Sequence, residues 1–572
     1  MTEKRIDMGN KNQSFMNNVM IILFAQVMVK VLGIVYRLVI TNISGFGDQG
    51  NGYYSAGYQI YTLLLAISSV GIPNAISKMT SAKNAVGDYR GAYRIYKNAL
   101  VLFSIIGVVS SSILFFGATP IATHIINMPN AKYVLMALAP SIFFVCISSV
   151  VRGYFVGMQN MHSSSRSQIL EQVFKCILTV GIVVVMSKMV LFPDDADMNA
   201  AAMAAGANLA TTLATVLSTI YIFGFYFKRR KGIMEKVHSS PVVDDKRSTF
   251  EMFKSILLIS IPISLGSIIA AVNRIVDTAT ITRGIEAAFA SMIPVSFGRA
   301  ASIINPTLEQ LNEEAVRLAG ILSKSDTLIN LPISMNISFA TVLVPSVSAA
   351  LAKGEKKEAS KYVSYSLLIS LLIIIPCAIG FIALAKPVYQ LLYPSFPYGY
   401  ELLQLSSVAL VFIALNQTIS GSLQGIGKIF APATGLLMGC VAKFILNVIL
   451  IRQPQINIYG APISSIVCQI ISFSYGFTVL TRNVGLKLSL KKYIMLPLGC
   501  AAVMGVAASL IYKLCLMITT SNLISVIIAI AVGVAVYGAL IFGTGALSGE
   551  EIKMLPMGNK IYKHVSKKRN LS

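Results

Sequence analysis

The sequence predicts an all-α polytopic membrane protein. It is expected to have about fourteen transmembrane helices, arranged as two six-helix lobes with pseudo-two-fold symmetry plus two C-terminal helices. Three observations predict this. Charged residues form only 12% of the 572-residue chain and apolar ones 55%, with a mean hydropathy of +0.72. A soluble domain carries about a quarter charged residues, and half that share cannot coat a water-facing globule of this size. Apolar runs recur along the chain, each near the roughly 20 residues needed to cross hydrocarbon. Finally, motifs of the first half return in the same order in the second.

The runs place spans at 16–42, 52–79, 92–118, 131–158, 163–189, 200–227 and 252–283, then 319–352, 360–385, 399–426, 429–452, 460–481, 492–518 and 521–547. The chain is polar up to Ser14, and the apolar run that follows is too long for a signal-peptide core, so it reads as a retained first helix. Lys and Arg set the topology. Lys78, Lys83, Arg90, Arg94 and Lys97, then Lys228, Arg229, Arg230 and Lys231, then Lys353, Lys356 and Lys357 fall on one side. Arg482, Lys487, Lys491, Lys492 and the tail residues Lys567, Lys568 and Arg569 join them. Asp48, Asp194, Asp195, Asp197, Glu313 and Glu314 fall on the other. The positive-inside rule makes the first side cytoplasmic and both termini cytoplasmic. The net charge of +24 is therefore a loop and tail property, and nucleic acid is not an expected partner.

The internal repeat orders the spans. Gly153-Tyr-Phe-Val-Gly157-Met-Gln-Asn-Met161 aligns with Gly421-Ser-Leu-Gln-Gly425-Ile-Gly-Lys-Ile429, and the same offset pairs Lys175 with Lys443. Gly87-Asp88 pairs with Gly354-Glu355, Pro120 with Pro387, Pro73 with Pro345 and Arg37 with Arg274. The offset grows after the seventh span, which implies an insertion at about 284–318 on the outer side. The resulting plan is an N-lobe at 1–229, a basic cytoplasmic linker at 230–251, a C-lobe at 252–482 carrying the insertion, and a last pair of spans with a basic tail at 483–572. Two parallel copies facing a cavity form the architecture of a carrier that works by alternating access. Pro73, Pro262, Pro332, Pro345 and Pro376 are candidate kinks for its gates. Gly153/Gly157 and Gly421/Gly425 are spaced for close helix contact.

Charges deep in a membrane helix are costly and turn toward a protein interior or a water-filled cavity. Lys30 lies near the middle of the first span, roughly 20 Å from either end, too far for its ammonium to snorkel out. Lys175 and Lys443 are equally central, and Arg37 and Arg274 occupy the outer halves of matching spans. Arg283 and Lys324 lie near outer helix ends. Lys175 has Glu171 at i−4, and Arg274 has Asp277 at i+3, so internal ion pairs compete with a substrate role for these two. Lys30 and Arg37 have no acid within reach on their own helix. Cations outnumber acids in the spans, so the cavity they line suits an anionic substrate, whereas an exporter of cations would show partnerless membrane carboxylates.

No metal or catalytic centre is expected. The seven cysteines all lie in apolar runs without a CxxC, and the four histidines are scattered. No Walker, HExxH, nucleophile-elbow or Rossmann pattern appears. A polytopic glycosyltransferase or polymerase would need a catalytic constellation in an outer loop, and Glu309, Glu313 and Glu314 do not form one.

Lys30-Val-Leu-Gly33-Ile-Val-Tyr-Arg37 in the first span, Arg152-Gly-Tyr-Phe-Val-Gly157-Met-Gln-Asn-Met161 followed by Ser167-Gln168-Ile-Leu-Glu171-Gln172, and Leu331-Pro332 followed by Val344-Pro345-Ser-Val-Ser348 carry a resemblance. With the six-plus-six-plus-two plan, the chain resembles the MurJ/SpoVB branch of the MOP superfamily, which also holds Wzx-type O-antigen flippases and MATE drug exporters. The resemblance implies a flippase that moves an undecaprenyl-pyrophosphate-linked saccharide, foremost lipid II, from the inner to the outer leaflet of a bacterial plasma membrane. A Wzx-type flippase for another polysaccharide and a MATE-like multidrug or cation antiporter are the alternatives. It implies cavity cations at Lys30 and Arg37, the second displaced by one residue; with the charges read from the spans, the expected cavity set is Lys30, Arg37, Arg274, Arg283, Lys324, Lys175 and Lys443, with Glu171, Asp277, Gln168 and Arg152 in support. The family's second-span arginine is absent here, where Thr62-Leu-Leu-Leu-Ala66 stands, and Lys324 and Asp326 take the place of its eighth-span arginine. The expected partners are the lipid-linked anionic saccharide and the surrounding lipids. The chain is expected to act as a monomer, without a cofactor, drawing on the membrane potential or an ion.

Overall fold

The computed structural model describes residues 28–240 except Val70, 248–545 except Lys353 and Lys487, and Leu547. The start of the first expected span, the centre of the basic linker and the basic tail lie outside these residues. Wherever they are described, the apolar runs are helical. In order they are α1 (28–41), α2 (Gly47–Ser68), α3 (Ile72–Ala85), α4 (Tyr89–Phe116), α5 (Ala131–Gly157), α6 (Met161–Met189), α7 (Ala196–Ser239) and α8 (Thr249–Ala288). Then come α9 (Leu308–Ala352), α10 (Lys356–Leu392), α11 (Tyr400–Gly425), α12 (Phe430–Leu450), α13 (Gly460–Val484), α14 (Leu496–Thr519) and α15 (Asn522–Thr544).

Eleven of these stretches are long and apolar enough to cross a membrane, with α2 and α3 together forming one; a bent pair, Thr249–Ile261 with Ile263–Ala288, makes twelve. The other two expected spans are α1, only part of which is described, and α9. The latter is long enough at 45 residues, but its middle reads Ser323-Lys324-Ser325-Asp326-Thr327. The bend of 51° in α8 falls at position 262, where a proline supplies no N–H to the helix ladder. The second expected span is likewise broken, between Ser68 and Ile72, because Pro73 occupies the first turn of α3, where a missing N–H costs nothing. In α10 the helical geometry lapses at Leu384, one turn before Pro387.

The described helices gather into two compact units. The first takes the chain up to Ser323 together with Phe444–Ile458, and the second takes Lys324–Lys443 and the chain from Tyr459 onward. α8 packs on α2, α3 and α4 within the first unit. The core of that unit is aromatic. Tyr96 of α4 lies against Tyr154 of α5 and Tyr226 of α7, with ring centroids 4.8 and 5.4 Å apart. Gly153 and Gly157 let α3 seat directly on α5: a Cβ on the first would meet the Pro73 backbone at 2.9 Å, and one on the second would strike the Thr80 hydroxyl. α2 and the start of α9 touch backbone to backbone. A Cβ on Gly52 would run into the Val316 carbonyl, and one on Gly320 into the Asp48 carbonyl.

The insertion expected at 284–318 takes a definite shape. Met292–Ile293 and Ile303–Ile304 form a small antiparallel hairpin, and the helix that follows starts at Leu308. Glu314, fully buried, accepts from Arg299 at 2.6 Å and from Arg317 at 2.6 and 2.9 Å. Arg317 also donates to the Phe297 carbonyl at 2.9 Å, which ties the hairpin loop to α9. Beside it, Asp197 in the first turn of α7 accepts from Tyr53 at 2.6 Å and Asn130 at 3.0 Å. This is the acidic end of the first unit; Lys228–Lys231 at the far end of α7 mark its basic end.

In the second unit α11 packs on α10 and α13, and α14 on α15. Asn336 of α9 donates to the Ala414 carbonyl at 2.9 Å and to Gln417 at 3.0 Å. Further along α9, the Ser348 hydroxyl donates to the Gly425 carbonyl at 2.7 Å.

Candidate substrate site on α1, α6 and α8

Three of the sequence-selected cations come together in the first unit. Lys30 of α1, Lys175 of α6 and Arg274 of α8 are close enough for Lys30 to feel both other charges. α1 and α6 are neighbours here: a Cβ on Gly33 would lie 3.5 Å from the amide nitrogen of Gln172. Lys30 and Arg274 are exposed, whereas Lys175 is only 6% exposed. An exposed charge midway along a membrane helix must face water, because hydrocarbon cannot solvate it. Lys30 and Arg274 thus keep exposed side-chain surface, while Lys175 is enclosed by the helices.

Lys175 is held by aromatic faces rather than by an acid. Its ammonium sits 4.6 Å from the centre of the Tyr58 ring and 5.4 Å from that of Tyr36. Tyr36 and Tyr54 share a hydrogen bond of 2.9 Å behind it. The i−4 carboxylate, Glu171, turns to another helix. It takes Arg152 of α5 at 2.6 Å, and Arg152 also donates to Ser167 at 2.9 Å and Ser218 at 2.8 Å. Arg152 thus joins α5, α6 and α7, and Glu171 belongs to that joint. Gln168, one turn before Glu171, is half-buried.

Arg37, two turns beyond Lys30, is half-buried and tied to the protein. One terminal nitrogen donates to Asn51 at 2.7 Å, Ser55 at 2.8 Å and Ser323 at 2.9 Å, and the guanidinium lies 4.8 Å over Tyr54. Asp277, three residues after Arg274, accepts from Asn447 at 3.0 Å. Arg283 is exposed and donates to the His124 carbonyl at the acidic end. In the second unit Lys324 is fully buried, donating to the Phe396 carbonyl at 2.9 Å between the rings of Tyr389 and Tyr393. Lys443 is also buried there, at 2% exposure. Sequence reading missed the tyrosines. Tyr36, Tyr54, Tyr58 and Tyr61 recur on α1 and α2 at helical spacing, a signal that also fits ordinary core packing.

Comparison with known proteins places this architecture. The chain is 26% identical over 534 residues to the lipid II flippase MurJ of Bacillus subtilis (strain 168), covering 89% of this chain and 91% of that one. It is 23% identical over 559 residues to stage V sporulation protein B of the same organism, covering 95% and 98%. Its fold matches a solved lipid II flippase MurJ in an inward closed conformation, with a TM-score of 0.62 at 14% identity, over 92% of this chain and 99% of that one. It also matches an inward-facing multidrug resistance MATE family transporter of the MOP superfamily, with a TM-score of 0.61 at 16% identity, over 81% and 98%. A MatE family model fits residues 307–449. The fold is the one shared by these flippase and multidrug-transporter structures, and its many long apolar helices make the chain a polytopic membrane protein. The model of the polysaccharide biosynthesis protein family matches residues 15–351, and the chain belongs to that family.

Proposed function

We propose that this protein is a flippase for a lipid-linked anionic saccharide, with lipid II as its first substrate, carrying it from the inner to the outer leaflet of a bacterial plasma membrane by alternating access. The observation that carries the reading is the exposed pair Lys30 and Arg274 with Lys175 behind them. A diphosphate cannot enter hydrocarbon unaided. Convergent cations with water access would hold it while the lipid tail stays in the bilayer. Arg37 and Arg152 act as positioning residues, fixing α1 and α6 so that the pair keeps its geometry. The Lys- and Arg-rich ends of the spans, read by the positive-inside rule, put both termini in the cytoplasm.

A cation exporter fits the same residues less well. Glu171 is spent on Arg152, and Asp277 accepts from Asn447, so neither stands ready for a cationic drug. The test is reconstitution of the purified protein into liposomes and measurement of labelled lipid II crossing the bilayer. Lys30→Ala is expected to abolish transport while inserting normally. Full activity of that variant would remove the cation pair from the mechanism, and a wild type that moves no lipid II would shift the substrate to another polysaccharide precursor.

A further inference from the structure

The motif that closes α5 and opens α6 has its glycines explained by α3, but its polar end is used by nothing above. Gln159 takes a left-handed backbone conformation, φ +61°, and Asn160 then stands just before the first turn of α6 without a side-chain cap bond. This tight link lies at the basic end of the first unit. It borders a cavity of about 580 Å³. Gln159, Asn160, His162 and Arg166 line one side, and Phe225 and Arg229 of α7 line the other.

The lining reads as an anion site. Arg166 and Arg229 are both exposed to the cavity, and neither makes a hydrogen bond or ion pair to another described residue. Arg229 is instead stacked over Phe225, with its guanidinium carbon 4.6 Å from the ring centre. That contact fixes the plane of the guanidinium while leaving its donors available. Two guanidiniums turned to one hollow with no carboxylate between them suit an anion with two phosphoryl groups, because each fork can take one of them bidentately. Gln159, Asn160 and His162 line the same hollow and bring further polar groups to it. The volume falls within the range for small-molecule sites and exceeds what a lone phosphate fills.

We infer that this cavity docks the diphosphate headgroup of a membrane lipid, as a loading site that precedes the Lys30–Arg274 face. The inference rests on the flippase reading for the lipid's identity. The sequence holds no tryptophan, so Phe225→Trp places one fluorophore in the cavity wall. The full-length protein carrying it, purified in detergent, is titrated with farnesyl diphosphate and separately with inorganic pyrophosphate. Farnesyl diphosphate is expected to give a saturable signal that weakens by roughly tenfold for each of Arg166→Gln and Arg229→Gln, the effect of losing one charge-assisted hydrogen bond. Pyrophosphate is expected to bind more weakly. Equal binding of the two would assign the site to a free anion and overturn the lipid. An unchanged affinity in the double arginine variant, or no signal at all, would overturn the site. Adding Lys30→Ala to the Phe225→Trp protein should leave the farnesyl diphosphate signal intact, so its transport defect tests the flippase reading independently. Both arginines are exposed, and a thermal melt of each variant checks that the fold is kept.

Discussion

Lys30 and Arg37 lie two turns apart on one face of α1, and the protein treats them in opposite ways. Lys30 is exposed, with Lys175 and Arg274 near enough for like charges to act on it. Arg37 is wrapped by Asn51, Ser55, Ser323 and Tyr54. The first position keeps its ammonium among other cations, as the proposed substrate site requires. The second spends its donors on holding α1 to α2 and α9. Position along a membrane helix thus says that a cation is unusual, and only its surroundings say what it is for.

Four variants test this contrast, from the largest expected effect down. Lys30→Ala, beyond its loss of transport, should leave thermal unfolding in detergent unchanged; a clear drop in stability would mean that Lys30 is structural too. Arg152→Ala should cost roughly 3 kcal/mol, the low end for breaking a buried pair, because Glu171 keeps 26% exposure. Urea or thermal unfolding would read it, and Arg152→Ala with Glu171→Gln should recover part of the loss. Arg37→Met should cost about 2 kcal/mol by the same measurement, since its three acceptors are all neutral and side-chain hydrogen bonds in membranes are individually weak. If transport falls in Arg37→Met while stability holds, the division between the two cations fails. Tyr58→Leu, which removes the closer ring from Lys175, should cost about 1 kcal/mol.

The smallest effect lies at the acidic end. Burial, and then Asp197, Glu309 and Asp195, push the Glu313 carboxyl above its ordinary range. The folded state therefore binds that proton more readily than the unfolded chain does. Glu313 favours folding at pH below the ordinary carboxylate range, and this contribution is lost as pH rises through the raised value. Glu313→Gln should be slightly more stable than wild type at neutral pH, with the gap closing in acid, as melts across pH would show.

Helices were legible in the sequence wherever an apolar run was long, since hydrocarbon admits little else. Their ends were not. α7 continues through Lys228–Lys231 to Ser239 because lysine and arginine are good helix formers once out of lipid. α9 begins eleven residues before its expected start because Glu314 is neutralised by two arginines, one of them a hairpin residue the chain gives no hint of. The hairpin's two-residue strands are too short to show alternation. Among the candidate site residues, Lys30 and Arg274 stood out as charges in an apolar run. Pairings were not: Glu171 at i−4 pointed to Lys175, yet an arginine on α5 takes it, and a partner arriving from another helix leaves no trace in local spacing.

The backbone contact between α2 and the start of α9 has a mechanical consequence. With Gly52 on Val316 and Gly320 on Asp48, the two backbones touch, and Asn51 donates across the joint to the Gly320 carbonyl at 2.8 Å. The first turns of α9 and the start of α2 form one closely bonded strut. That strut runs from the hairpin clasped by Glu314 to Ser323, where Arg37 is anchored. A push on the hairpin, as by a binder raised against it, would therefore reach α1 undamped, making a surface remote from the cations a handle on the helix that bears them.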